Sequence, residues 1–258
     1  MSRLSTLWVW AVFAFMYLPI AMIALFSVND SKIMSLPFSG FTLKWYAEVM
    51  GDGRLGGGFL TTLSVAFPVA ICATLLGGLA ALAISFYPMR GRGIFAVLLL
   101  APFLIPKLIL AVAQLIMFNE TGVERSLLTV IAAQTVIVLP FSTLVIASVL
   151  IRIDRGLLEA AADLGASGFS AFRRVVLPLM ANGLMASWVV AFVLSSAEYV
   201  LTAFVSGRAQ PLSVLVASDF RFALSPSLNA LAVMIVFGNI ALVALAELIR
   251  RRASKTGA

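Results

Sequence analysis

Long apolar runs separated by short polar segments dominate the pattern of this chain. A helix needs about 20 mainly apolar residues to cross a bilayer, and six runs approach or exceed that length. Because lipid offers the backbone no hydrogen-bond partners, spanning segments are helices or closed barrels, and these runs lack the alternation of barrel strands. The pattern predicts an all-α integral membrane protein with one transmembrane domain over residues 1–258 and six transmembrane helices, at about 7–28, 59–87, 94–118, 126–151, 179–204 and 228–249.

Composition and charge agree with a membrane location. Of the 258 residues, 62% are apolar and 11% are charged, whereas a soluble domain carries about 25% charged residues. The net charge of +7 does not indicate a nucleic-acid partner, because the basic residues are spread over short loops. About eleven lysines and arginines fall on one side of the six-span pattern and about six on the other, so the positive-inside rule predicts cytoplasmic termini. The first run exceeds the roughly 7–15 apolar residues of a signal peptide, so we expect a retained span.

Residue usage excludes several kinds of catalytic site. The chain has no histidine, and its single cysteine, Cys72, lies in the second predicted span. Ordinary zinc and haem sites and Cys–His or Ser–His catalytic pairs therefore lack their residues. The string Gly51–Gly58 satisfies G-x-G-x-x-G, but no strand precedes it, so no nucleotide site is expected there. We predict a chain that is not an enzyme and that itself binds no metal or cofactor.

Two ionisable side chains lie inside predicted spans. Lys107 follows Pro106 in the third span, and Glu198 precedes Tyr199 in the fifth. A charge in the membrane costs about 2.5–3.5 kcal/mol on insertion scales and usually faces protein or water. Two interpretations stay open: a structural ion pair or a lysine that reaches the outer interface, and a translocation pathway lined by Lys107, Glu198, Pro106 and Tyr199. In the second, one cation and one anion would suit a zwitterion or an anionic group better than a polycation.

The segment between the fourth and fifth spans is too polar to cross the membrane. Asp154 can cap a helix over residues 155–164, and Gly165 suits the left-handed position that ends a helix. Ser167 can cap a second short helix. The residues alone leave two interpretations open, a docking surface for another protein and a solvated amphipathic loop.

The same segment resembles a known motif. Glu159-Ala160-Ala161, Gly165, Val175 and Leu177-Pro178 are similar to the EAA loop of permease subunits of type I ABC importers, with Val175 in place of isoleucine. The resemblance implies a coupling loop, about residues 152–178, that forms coupling helices seated in a cleft of a cytoplasmic ATPase. It implies that Glu159 contacts the ATPase, that the alanines allow close packing and that Gly165 makes the turn. The residues that carry the ATPase-coupling role are then Glu159, Ala160, Ala161, Asp163, Gly165, Leu177 and Pro178.

Four segments of the chain resemble segments of the spermidine/putrescine-type permeases, and they occur in the same order. They are Gly40–Tyr46, the loop core E-A-A-x-D-L-G-A-S, Phe204–Gly207 and Ser225–Ala232. The resemblance implies a multi-pass permease of the bacterial inner membrane. Its implied partners are a cytoplasmic ABC ATPase dimer that binds ATP and Mg, a second and different permease chain, and a periplasmic solute-binding protein.

Two departures affect the substrate. In the fifth span those permeases carry two acidic residues, and this chain keeps only one of them, Glu198. In the third span they often have an acidic residue after proline, and this chain has Lys107 after Pro106. We expect a small polar solute that is polyamine-like or a zwitterionic amine. The alternatives are an anionic organic solute such as a phosphonate or opine and, less favoured, a self-sufficient secondary transporter or channel.

Overall fold

The computed structural model describes residues 3–32, 37–87, 90–154, 156–222 and 225–256. Regular structure in these ranges is helical, with one isolated antiparallel bridge between Asn29 and Phe41. The predicted all-α class is confirmed. In chain order the helices are α1 Arg3–Ser27, α2 Lys44–Gly51, α3 Gly53–Phe86, α4 Arg92–Leu104, α5 Lys107–Glu120, α6 Leu127–Leu150, α7 Gly156–Asp163, α8 Gly168–Ala171, a π-helical turn Phe172–Val176, α9 Leu177–Ser196, α10 Val200–Val205, α11 Leu212–Phe222 and α12 Pro226–Thr256.

Within the described residues, five helices are long and apolar enough to cross a membrane, and the bent pair α4–α5 would make a sixth span. The continuous third span expected at 94–118 is wrong, because α4 and α5 meet at an angle of 101°. Pro106 has no N–H and adopts an extended backbone with φ −53° and ψ 129°. Ile105, which precedes it, is also extended, as residues before proline tend to be. The chain therefore breaks at Ile105–Pro106.

The fifth span also differs from the predicted 179–204. It begins earlier, because α8, the π-helical turn and α9 follow one another without a gap from Gly168 to Ser196. A proline clashes with the carbonyl four residues before it. The π-helical turn lies just before Pro178, and in it Leu177 N–H bonds to Phe172 O, five residues back. The span ends at Ser196, and three residues separate it from α10.

The chain forms two compact units, Met1–Phe59 with Leu215–Ala241 and Leu60–Val214 with Leu242–Ala258. In the first unit, α2 is anchored by the buried Trp45, whose Nε1 donates to Asn29 O at 2.9 Å. Arg54 donates two hydrogen bonds to the carboxylate of Asp219, at 2.9 and 2.6 Å. This bidentate pair lowers the pKa of Asp219 below its ordinary value, mainly through the hydrogen bonds from Arg54.

In the second unit, small residues bring helices close together. A Cβ on Gly77 of α3 would lie 2.8 Å from Ser142 Cβ of α6, and one on Gly183 of α9 would lie 3.1 Å from Val149 Cγ2. Glycine at a helix crossing lets two backbones approach closely. One core cluster at these contacts joins α3, α6 and α9 next to the coupling loop: Ala81, Ile146, Leu150, Val176 and Met180. Both candidate sites belong to this second unit.

Candidate functional site

The coupling loop begins with the predicted cap. Asp154 Oδ1 accepts a hydrogen bond from Gly156 N at 2.9 Å, and its carbonyl accepts one from Leu157 N at 3.2 Å. These bonds use N–H groups that would otherwise be unsatisfied at the start of α7. The cap at Asp154 is confirmed, while residue 155, the first of the expected helix, lies outside the described residues.

Gly165 makes the turn that ends α7. Its φ is +80°, its N–H bonds to Ala162 O at 2.8 Å, and Ala166 N–H bonds to Ala161 O at 2.9 Å. This pair of bonds is the Schellman motif, which needs a left-handed residue at the position of Gly165. Ser167 Oγ then accepts from Ser170 N at 3.3 Å and caps α8. The two-helix arrangement predicted from these residues is confirmed.

The surface of this knob, which we define as residues 156–171, is largely exposed. Glu159, Ala160 and Asp163 are exposed, and Ala161 is partly buried. On the inner side, Leu158 packs against the core cluster beside the loop. The motif residues Leu177 and Pro178 do not join the knob, because they begin α9 beyond the π-helical turn.

Two exposed apolar side chains of the knob were not identified from the sequence. Leu164 is 89% exposed and Phe169 is 74% exposed, on either side of the turn at Gly165. Covering these leucine and phenylalanine side chains with another surface would be favourable, because it removes apolar area from water. Their signal in the sequence is the presence of large apolar residues in an otherwise polar and alanine-rich loop.

The second candidate site lies where the break between α4 and α5 meets the break between α9 and α10. Lys107 Nζ lies 2.7 Å from Glu198 Oε2, so the two charges that the sequence places inside predicted spans form an ion pair. Lys107 is the first residue of α5, directly after Pro106, and Glu198 lies between α9 and α10. The lysine side chain is 57% exposed and the glutamate side chain 5%. Tyr199 follows, partly buried, at the start of α10.

Several hydrogen bonds hold Glu198 in place. Its second oxygen, Oε1, accepts from Leu201 N at 3.2 Å, which satisfies a backbone group at the start of α10. Its carbonyl accepts from Thr202 Oγ1 at 2.8 Å and from Ser213 Oγ at 3.0 Å. The carboxylate is therefore fixed by its own backbone surroundings, and one oxygen is left for the ammonium of Lys107.

The buried side chain of Gln134 on α6 hydrogen-bonds to residues on both sides of Glu198. Gln134 Nε2 donates to Thr202 Oγ1 at 2.8 Å, and Gln134 Oε1 accepts from Ser195 Oγ. Gln134 lies about 10 Å along α6 from its first residue, Leu127. Sequence reasoning missed this residue, whose signal is one amide inside a long apolar run. The irregular backbone at Glu198 is thus flanked by the hydrogen-bonded polar side chains of Gln134, Ser195 and Thr202.

Among the residues that the structure describes, no three histidine, cysteine, aspartate or glutamate side chains come close enough to share a metal ion. The geometry offers an exposed knob before α9 and a buried, paired carboxylate after it.

A family model described as a binding-protein-dependent transport system inner membrane component matches residues 73–255, which include both candidate sites. The chain belongs to that family. It is a multi-pass inner-membrane permease subunit of a type I ABC importer and is not itself an enzyme. The resemblance inferred from the EAA loop is thereby confirmed.

Similar proteins cover nearly the whole permease. The spermidine/putrescine transport system permease protein PotC of Haemophilus influenzae is 31% identical over 98% of this chain and 99% of its own length. The putrescine transport system permease protein PotI of Escherichia coli is 32% identical over 87% of this chain and 82% of its own.

Solved structures show the same fold. A bacterial alginate ABC transporter in complex with an alginate pentasaccharide-bound periplasmic protein aligns over 97% of this chain and 94% of that one, with a TM-score of 0.77 and 16% identity. A methionine ABC transporter in inward-facing conformations aligns over 77% of this chain and 93% of that one, with a TM-score of 0.63 and 20% identity.

Proposed function

We propose that this permease couples ATP hydrolysis by a cytoplasmic ATPase dimer to the import of a small organic amine. A periplasmic solute-binding protein delivers the amine, and a second, different permease chain completes the pathway. The observation that carries the proposal is the exposed knob, whose helices are capped at Asp154 and Ser167 and joined by a left-handed turn at Gly165, within the segment that resembles the EAA loop.

The knob has the surface that docking into a cleft requires. Glu159 gives it an exposed charge, and Ala160 allows a partner to approach closely. Leu164 and Phe169 provide apolar area at the tip that a cleft would bury. Burial of apolar side chains is the main favourable contribution to association. ATP and Mg are bound by the ATPase in this scheme.

Orientation follows from where the knob must lie. The ATPase is cytoplasmic, so the loop that docks on it faces the cytoplasm, together with the exposed Arg152, Arg173 and Arg174 beside it. An excess of basic residues in cytoplasmic loops agrees with the positive-inside rule. Both termini then lie on the cytoplasmic side of the inner membrane.

The cargo is assigned from the relatives and from Glu198. PotC and PotI are named for spermidine and putrescine transport. A carboxylate that is buried, held by its neighbours and already paired with an ammonium suits the ammonium group of such an amine. The exposed ammonium of Lys107 beside it favours a second candidate, a zwitterionic amine or an anionic solute such as a phosphonate or opine, whose acidic group could pair with the lysine.

Reconstitution tests the function and separates the candidates. The permease would be placed in proteoliposomes with its ATPase, partner permease and binding protein, and uptake of labelled putrescine, spermidine, an aminophosphonate and an opine would be followed with and without ATP. We expect ATP-dependent uptake of putrescine and spermidine. Uptake that continues without ATP or without the ATPase would contradict the proposed coupling. Uptake of the aminophosphonate or the opine without uptake of putrescine and spermidine would contradict the proposed cargo.

A further inference from the structure

We propose that the ammonium of Lys107 is a tethered occupant of the cargo-amine site on Glu198, and that the cargo amine enters this site by replacing it. The inference rests on the proposed function, since it requires a cargo with an ammonium group. It makes Lys107 a specificity-determining residue of the pathway rather than a structural partner of Glu198.

The unequal burial of the two partners supports exchange. Lys107 is 57% exposed within this chain, so no neighbouring side chain of the described residues confines its ammonium to Glu198. Glu198 is 5% exposed and is held by Leu201 N and by the short connection between α9 and α10. A lysine ammonium sits on a flexible four-carbon stem and can move by side-chain rotation alone. The Glu198 carboxylate therefore stays in place, while the Lys107 ammonium can be replaced by another cation.

The position of the pair is the one expected of a pathway residue. Lys107 follows the break between α4 and α5, and Glu198 lies in the break between α9 and α10. Interrupted helices whose ends meet at membrane depth commonly form the binding sites of transporters. An ammonium that bridges two such breaks occupies the location that a transported amine would need.

The charge on the site stays constant during replacement. When one ammonium replaces another, Glu198 Oε2 keeps a cationic donor, and Oε1 keeps its bond from Leu201 N. A buried carboxylate is therefore never left unpaired, which would be strongly unfavourable. A neutral solute cannot make this exchange, because it would separate Lys107 from Glu198 without providing a charge. The pair would thus select cargo with an ammonium group and reject neutral analogues of the same size.

A double-mutant cycle on the complete reconstituted importer tests the proposal. The variants are Lys107→Met, Glu198→Gln and both together, with Lys44→Met as a matched control that removes a lysine paired to an aspartate, Asp30. Uptake of labelled putrescine is measured at saturating loaded binding protein, and complex assembly is checked by size exclusion. We expect Lys44→Met to import at the wild-type rate. Lys107→Met, once its assembly is verified, should import faster than the wild type, because no tethered ammonium then competes with the cargo for Glu198. An uptake rate of Lys107→Met at or below the wild-type rate contradicts the exchange. Glu198→Gln and the double variant should assemble but lose about tenfold or more of the uptake rate.

A conservative variant tests the same point without risk to folding. Lys107→Arg keeps the ion pair, and its planar guanidinium can hold a carboxylate through two bonds. If Lys107 must leave Glu198, the stronger hold slows uptake about threefold or more. If the pair is only structural, Lys107→Arg imports at the wild-type rate.

The possible outcomes separate this inference from the proposed function. Recovery of wild-type uptake in the double variant, or an unchanged rate for Lys107→Arg, overturns the exchange while amine import by the wild type stands. Loss of uptake in Lys107→Met as large as in Glu198→Gln overturns it as well. If the wild-type complex imports no amine, the proposed cargo and the exchange both fail.

Discussion

Replacing Gly165 with alanine should weaken ATPase docking without disturbing the membrane helices. The φ of Gly165 is +80°, which costs a residue with a Cβ about 1–2 kcal/mol. A Cβ at this position would meet no atom within 4 Å, so the substitution adds backbone strain and no clash. If the strain is relieved by opening the turn, a cost of this size lowers the ratio of closed to open turn about 5–30-fold, and the affinity for the ATPase falls by at most that factor.

The same loop provides a matched control. Gly168, the first residue of α8, also has open space around its Cβ position, but its φ is not in the left-handed region. Gly168→Ala should leave ATPase affinity unchanged. Gly165→Asn should retain most of the affinity, because asparagine tolerates the left-handed conformation better than alanine.

Affinity is measured between the ATPase and the permease pair in nanodiscs by interferometry, and ATP-driven uptake is measured in parallel. We expect Gly165→Ala to raise the dissociation constant by up to about 30-fold and to slow uptake, with normal membrane insertion. Equal affinities for Gly165→Ala and Gly168→Ala would refute the reasoning. So would a Gly165→Asn variant as weak as Gly165→Ala, because strain would then not be the cause.

Three other substitutions test the remaining assignments. Glu159→Ala removes an exposed charge from α7 and should lower ATPase affinity while membrane insertion stays normal; unchanged coupling would contradict the docking role. Lys107→Glu replaces the ion pair with two acids and should shift uptake from a zwitterionic amine towards putrescine, so an unchanged uptake ratio would show that Lys107 does not face cargo. The hydrogen bonds from Arg54 lower the pKa of Asp219, so this ion pair contributes stability above the ordinary Asp pKa of about 3.9 that is lost as pH falls through the lowered value. Thermal unfolding of Asp219→Asn should lack this part of the acid-side decline, and identical pH profiles would contradict it.

The coupling loop could be predicted almost residue by residue because its structure is local. Asp154, Gly165 and Ser167 each act on backbone groups within a few positions of themselves, and all three are confirmed. The membrane spans were predicted for a similar reason, since hydropathy depends only on neighbouring residues. What remained hidden is the exposure of Leu164 and Phe169, because the fate of an apolar side chain in a loop depends on how the loop folds back on the core.

The helix interruptions and the ion pair could not be predicted in the same way. Pro102 and Pro106 look alike in the sequence, yet α4 continues through Pro102 and ends before Pro106. The difference depends on which backbone groups find other partners, and neighbouring helices decide that. Lys107 and Glu198 are 91 positions apart, so only the packing of α5 against α10 could show that they pair.

The two sites are linked by one nearly continuous helical rod. From Gly168 to Ser196 the helix is 29 residues long, or about 40 Å. Its one irregular segment, the π-helical turn at Phe172–Val176, lies next to the knob, and the rest of α9 packs along α6. A displacement of the knob would therefore be absorbed partly at this turn and passed on to the far end as a rigid movement. That end is the connection that holds Glu198, so the carboxylate would move away from or towards Lys107 on α5. If docking moves the rod, the Lys107–Glu198 ion pair is among the contacts that the motion changes, together with the bond from Ser195 to Gln134.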